Sequence, residues 1–178
     1  LGLYGYGRIG RVVADYARAF GMEVIWWSSE AGRARAKADG ETVAESRTAF
    51  FRSCDVVSLH LRLTSETRGS VTADDLGAMP PRSVLVNTSR AGLIAEGALL
   101  QALNAGHLGA AAVDVFDFEP LTDPSDPLLS HPKMIATPHI GFVTEDEFDK
   151  QFADIFEQVN AYAAGAPIHM INPSVYAP

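Results

Sequence analysis

Apolar positions follow two rhythms along the chain. Short apolar runs such as Glu23-Val-Ile-Trp-Trp27, Asp55-Val-Val-Ser-Leu59 and Ser83-Val-Leu-Val-Asn87 read as strands buried on both faces. Between such runs the spacing becomes helical. From Ile9 onward, Val12, Val13, Tyr16, Ala17 and Phe20 recur as on a helix that begins inside the opening glycine stretch. The pattern predicts strands at 1–4, 23–27, 55–59, 83–87, 109–115 and 134–137, with a short additional strand at Val43. It places helices at 31–39, 44–51, 72–79 and 96–105, the last ended by Gly106. A proline-rich loop fills 117–132. Thr144 then opens a long final helix with Glu147 at capping-box spacing. Phe148, Phe152, Ile155, Phe156 and Val159 share one face of that helix, and Gly165 with Pro167 ends it.

Strands separated by helices call for an α/β fold, a Rossmann-type doubly wound parallel sheet with helices on both faces. Residues 1–165 are expected to form this domain, with 166–178 as a C-terminal arm. Such sheets bind ligands at the carboxyl ends of their strands, near the point where the strand order reverses. The ends to inspect are therefore those after Tyr4, Trp27, Leu59, Asn87, Val115 and Thr137.

The first of these ends carries Gly5, Gly7 and Gly10 as G-x-G-x-x-G directly after a strand and at the opening of a helix. Glycines also mark ordinary turns, but this context assigns each a task. Gly5 permits the turn, Gly7 lets backbone approach a pyrophosphate, and Gly10 lets helix and strand pack closely. The helix N-terminus then faces the phosphates.

Composition narrows the partners. The 178 residues carry a formal charge of -8 and no basic run, which argues against nucleic acid or an anionic membrane. A single cysteine, Cys54, excludes an internal disulfide and reads as a buried thiol. With no membrane-length apolar run and no visible signal peptide, a cytoplasmic protein is expected. The chain opens without Met inside a strand, so a fragment is expected too.

Three later strand ends suit one reaction. Arg90 follows 83–87, Glu119 follows 109–115, and His139 follows 134–137. Arginine clamps a carboxylate in two-pronged fashion. Histidine trades a proton near neutral pH, and a neighbouring carboxylate stabilises its imidazolium form. Taken singly, each has an ordinary reading: a surface arginine, a turn carboxylate, a histidine satisfying backbone. Together, and beside a dinucleotide, they are the parts for reducing a 2-keto acid. His107, His131 and His169 read as surface or turn residues, and no pair of them has metal-ligand spacing with a carboxylate, so no metal is expected.

The chain resembles the D-isomer-specific 2-hydroxyacid dehydrogenases along essentially its whole length. The resemblance rests on Gly5 to Gly10, His60-Leu-Arg-Leu-Thr64, Asn87-Thr-Ser-Arg90, Asp114 to Pro120 and Thr137 to Gly141, which occur in the family's order. It implies Arg90 as carboxylate anchor, His139 as acid/base and Glu119 as its partner. It implies a cofactor set of Gly5, Gly7, Arg8, Ile9, Gly10, Ser28, His60, Leu61, Thr64, Thr67, Thr88 and Asp114. NAD is the expected cofactor, with NADP left open, and a homodimer acting on a small 2-hydroxy or 2-keto acid is expected. The alternative is a non-catalytic NAD(H)-sensing module of the same fold, like the corepressors. Formate dehydrogenase fits less well, because that branch pairs its histidine with glutamine.

Departures from the family pattern carry information as well. Ser28 stands where many members place an Asp that accepts from the adenosine ribose. Arg33 or Arg35 would attract a 2′-phosphate there, while Glu30 opposes it. Arg62 replaces a common Pro, and Ala91 a common Gly. The substrate-binding segment that family members carry before the glycine motif is expected to lie outside these 178 residues.

Overall fold

A computed structural model describes residues 1–176. Six strands form one wholly parallel sheet: β1 (Gly2–Tyr4), β2 (Ile25–Trp27), β3 (Val56–Leu59), β4 (Val84–Asn87), β5 (Ala110–Val113) and β6 (Met134–Ala136). Their order across the sheet is β2-β1-β3-β4-β5-β6. The order reverses between β1 and β3, which makes that junction the switch point. The helices are α1 (Arg8–Ala19), α2 (Glu30–Ala38), α3 (Arg47–Ser53), α4 (Ala73–Ala78), α5 (Ala98–Asn104) and α6 (Glu145–Ala163). The Rossmann-type reading holds.

Alternation along the strands feeds two cores. Leu3 joins Tyr6, Ala14, Trp26 and Ala36 beneath α1 and α2, whereas its neighbour Tyr4 joins Phe50, Phe51, Val57, Leu59, Leu76 and Leu85 beneath α3 and α4. Cys54 is buried in the second core, and burial pushes its thiol pKa upward.

One expectation needs correction. Val43 does not found a strand; it makes one isolated parallel bridge to Trp26 at the sheet's edge. Too few apolar residues flank it to bury a longer segment. On α1 the buried positions are Gly10, Ala14 and Ala17, while Val12, Tyr16 and Phe20 lie exposed. Small residues face the sheet because the helix sits against it closely: a Cβ on Gly10 would lie 2.8 Å from the Gly5 carbonyl oxygen. The large apolar stripe points the other way.

The described residues pack as two units, Leu1–His139 and a second beginning at Ile140. In this division α6 groups with the residues after it. Thr144 caps α6 by accepting from the Glu147 N–H, and no residue of α6 is buried. Of the expected arm 166–178, a 3-10 turn at Pro173–Val175 is formed, and 177–178 lie outside the described residues.

One ion pair ties the helices of the second core together. Thr72 and Asp75 form a reciprocal capping box at the start of α4. Arg47, from α3, donates Nε to Asp75 Oδ1 at 2.8 Å and also reaches the Ser70 carbonyl. Burial by itself would raise the Asp75 pKa, but the hydrogen bonds from Arg47 and Thr72 and the guanidinium charge outweigh it and hold it below the ordinary range. A carboxyl depressed in the folded state adds stability above its unfolded pKa, and that stability is lost as pH falls through the folded value. Arg47→Ala leaves the buried Asp75 without its cation, so we expect a loss of about 1–3 kcal/mol in urea unfolding at neutral pH. The loss should shrink in acid.

Candidate active site

The turn after β1 is built by two glycines that the fold requires and one that it does not. Gly5 has φ +120, and a Cβ there would lie 2.5 Å from the His60 carbonyl oxygen. A Cβ on Gly10 would lie 2.8 Å from the Gly5 carbonyl oxygen and 3.2 Å from the Trp26 ring. Gly7, at φ -113, would meet nothing within 4 Å if it carried a Cβ. Nothing in the protein requires glycine there, whereas a ligand lying against the turn would.

Gly7 opens onto a cleft of about 620 Å³ at the switch point, lined also by Arg8, Ile9, His60, Leu61, Thr88 and Arg90. The sequence expectations for these residues therefore converge on one hollow. Backbone holds its two walls in register, since the His60 N–H donates to the Tyr4 carbonyl at 2.8 Å. His60 Nε2 lies 3.0 Å from Ser58 Oγ, and burial lowers the His60 pKa, favouring a neutral ring beside the cleft.

Arg90 is exposed, and it is aimed by a residue that sequence reasoning passed over. Asn87 is 1% exposed; its side chain donates to the Arg90 carbonyl at 2.9 Å and accepts from the Ser89 N–H at 3.1 Å. Ser89 Oγ donates to the Leu59 carbonyl at 2.7 Å, joining the loops after β3 and β4. A buried amide at a strand end was the available signal. Arg62, another lining residue, joins Arg8 and Arg90 as a third guanidinium at the cleft.

His139 and Glu119 meet in a second hollow of about 560 Å³ past the ends of β5 and β6, walled by Phe116, Leu121 and Ala136. His139 Nδ1 lies 2.6 Å from Glu119 Oε2, and Glu119 Oε1 accepts from the Phe116 N–H at 2.8 Å. The hydrogen bond from His139, that N–H and the charges of His139 and Arg90 hold the Glu119 pKa below the usual carboxylate range. The Arg90 charge thus reaches this hollow although its side chain lines the other. His139 has φ 55, a left-handed backbone seldom adopted outside glycine.

Other expected residues sit around rather than in the hollows. Asp114 is 4% exposed and accepts from Thr137 Oγ1 at 2.5 Å, joining the ends of β5 and β6. Thr67 Oγ1 donates to the Arg62 carbonyl at 2.7 Å and accepts from the Thr64 N–H, so both threonines shape the loop after β3. Ser28 is buried, and its Oγ accepts from the Tyr6 N–H at 3.4 Å, inside the glycine turn. Among the described residues no three His, Cys, Asp or Glu side chains gather as a metal site, and no helix is long and apolar enough to cross a membrane.

Known proteins share this sequence pattern and fold. Residues 1–141 match the model of the D-isomer specific 2-hydroxyacid dehydrogenase NAD binding domain. A D-3-phosphoglycerate dehydrogenase of Bacillus subtilis is 39% identical over 94% of this chain and 31% of its own length. A glyoxylate reductase of Aeropyrum pernix is 37% identical over 98% of this chain and 52% of its own. The crystal structure of an oxidoreductase from Ralstonia solanacearum, assigned as a D-3-phosphoglycerate dehydrogenase, superposes with a TM-score of 0.92 at 45% identity, covering 99% of this chain and 52% of that one. The chain thus spans between a third and a half of the length of these relatives.

The Glu119–His139 pair predicts a titration. A depressed carboxyl keeps its charge until pH falls below the ordinary glutamate range. Carbon-13 NMR of the Glu119 carboxyl should show this, and His139→Ala should return the titration upward. An unchanged titration in that variant would sink the coupling.

Proposed function

The chain belongs to the D-isomer specific 2-hydroxyacid dehydrogenase family, as its NAD binding domain, and on that premise we propose that it serves the reversible reduction of a small 2-keto acid to the D-2-hydroxy acid. The observation that carries the reading is the His139–Glu119 pair at the carboxyl end of the sheet that also presents the open glycine turn. NAD(H), when bound, takes or supplies the hydride at C2 of the acid. The residues proposed to hold it are Gly7, Arg8 and Ile9 at the pyrophosphate, and His60, Leu61 and Thr88 along the cleft. Asp114 braces the strand ends at the nicotinamide side.

The side chains divide the remaining work. Arg90, its loop fixed by Asn87, clamps the substrate carboxylate with paired donors. Glu119 engages Nδ1 of His139, which assigns Nε2 to the substrate oxygen: it gives a proton as the ketone is reduced and takes one back in oxidation.

A homodimer and a cytoplasmic location go with this reading. Ile9, Val12, Tyr16 and Phe20 supply an exposed apolar stripe for the dimer, and the lone buried Cys54 suits a reducing compartment.

Two variants test the proposal. Gly7→Val should keep its thermal stability and lose NADH affinity, followed by fluorescence titration, since only the ligand meets the new side chain. Retained affinity would overturn the dinucleotide site. His139→Ala should bind NADH as before and lower kcat for keto-acid reduction by about 10²–10⁴-fold. Dinucleotide binding without turnover of any keto acid in this domain joined to a family substrate-binding segment would favour a sensing module instead.

A further inference from the structure

The end of β2 holds no carboxylate for a ribose, but it holds two fixed guanidinium groups. Ser28, the first residue after β2, is turned inward. Its hydroxyl accepts from the Tyr6 N–H, and α2 closes over it, because a Cβ on Gly32 would lie 2.3 Å from Ser28 Oγ. A hydroxyl sealed in this way does not reach a ribose outside the sheet.

Arg33 and Arg35, from α2, occupy the outer side of the same corner. Arg33 Nη1 donates to the Ser28 carbonyl at 2.5 Å, and its guanidinium lies over the Trp27 ring, 4.3 Å from the centroid. Arg35 Nη2 donates to the Tyr6 carbonyl at 3.3 Å, within the glycine turn. Each thus spends one donor on backbone, which fixes the fork, and keeps others for a ligand. Neither pairs with a carboxylate among the described residues. The acids of this corner are Glu30, Asp39 and Glu41; Asp39 accepts from Tyr6 Oη, and Glu41 is engaged by Arg18 and Trp26. Glu30, exposed at the start of α2, and Asp39, whose phenol partner is neutral, are the opposing charges left at this corner.

Where a dinucleotide fold has an acid after β2, the acid accepts from the ribose hydroxyls and repels a 2′-phosphate; a nearby arginine does the reverse. We infer that Arg33 and Arg35 form a 2′-phosphate clamp, so that NADPH is bound at least as tightly as NADH. The inference rests on the dinucleotide site proposed above. It adds which form of the cofactor that site selects and which residues select it.

The test is calorimetric titration of the protein and of the double variant Arg33→Gln, Arg35→Gln with NADPH and NADH. The substitutions should weaken NADPH about tenfold or more while changing NADH by less than about threefold, each lost charge-assisted bond accounting for a large part of the effect. Unaltered NADH binding also certifies that the variant is folded. The NADPH affinity of the unaltered protein should fall more steeply with salt than its NADH affinity. A ratio of the two dissociation constants that the substitutions leave unchanged overturns the clamp, as does NADH bound more than tenfold tighter than NADPH by the unaltered protein. If neither dinucleotide binds the unaltered protein, the site itself is refuted rather than its selectivity.

Discussion

The close approach of backbone to backbone at Gly5 is the constraint on which the cleft depends. With a Cβ position 2.5 Å from the His60 carbonyl, the turn after β1 and the loop after β3 are held as near as peptide groups can lie. Gly10 adds the second contact by resting α1 on the Gly5 carbonyl. These two contacts place the N-terminus of α1 at the switch point, where its dipole and free N–H groups face outward together. Gly7 differs from both in having open space before it. The glycine motif therefore splits into two residues required by packing and one available to a ligand.

Electrostatics sharpen the division between the site and the rest of the surface. The chain is acidic, with a formal charge of -8, yet the cleft beside Gly7 is lined by Arg8, Arg62 and Arg90. A concave cationic site in an otherwise anionic protein concentrates the field on anions that enter it. Acidic side chains near the chemistry are engaged by neighbours: Glu119 by His139, Asp114 by Thr137.

The hydrogen bonds that aim the site come from polar groups at strand ends, of which Asn87 and Asp114 are buried. Asn87 fixes the loop carrying Arg90, Ser89 anchors that loop to β3, and Thr137 joins Asp114 across β5 and β6. Such bonds are strong where water is excluded, and leaving the buried Asn87 or Asp114 unpaired would cost the desolvation of a polar group. Preorganisation of the side chains thus rests on the same strand ends that the parallel sheet aligns.

The sequence by itself determined the parallel α/β fold, the glycine turn and the strand ends after which Arg90, Glu119 and His139 lie. Apolar runs separated by helical spacing admit few other architectures, and residues placed just past strand ends inherit their position from the sheet. Tertiary structure alone decided which face of α1 is buried, because Gly10, Ala14 and Ala17 win by their small size over the larger Val12, Tyr16 and Phe20. It also decided that Val43 stays a single bridge and that Ser28 turns inward while Arg33 and Arg35 hold the corner outside it. Periodicity records which residues are apolar or charged. Close packing and the direction of each side chain follow from contacts between segments far apart in the chain, and no local pattern encodes them.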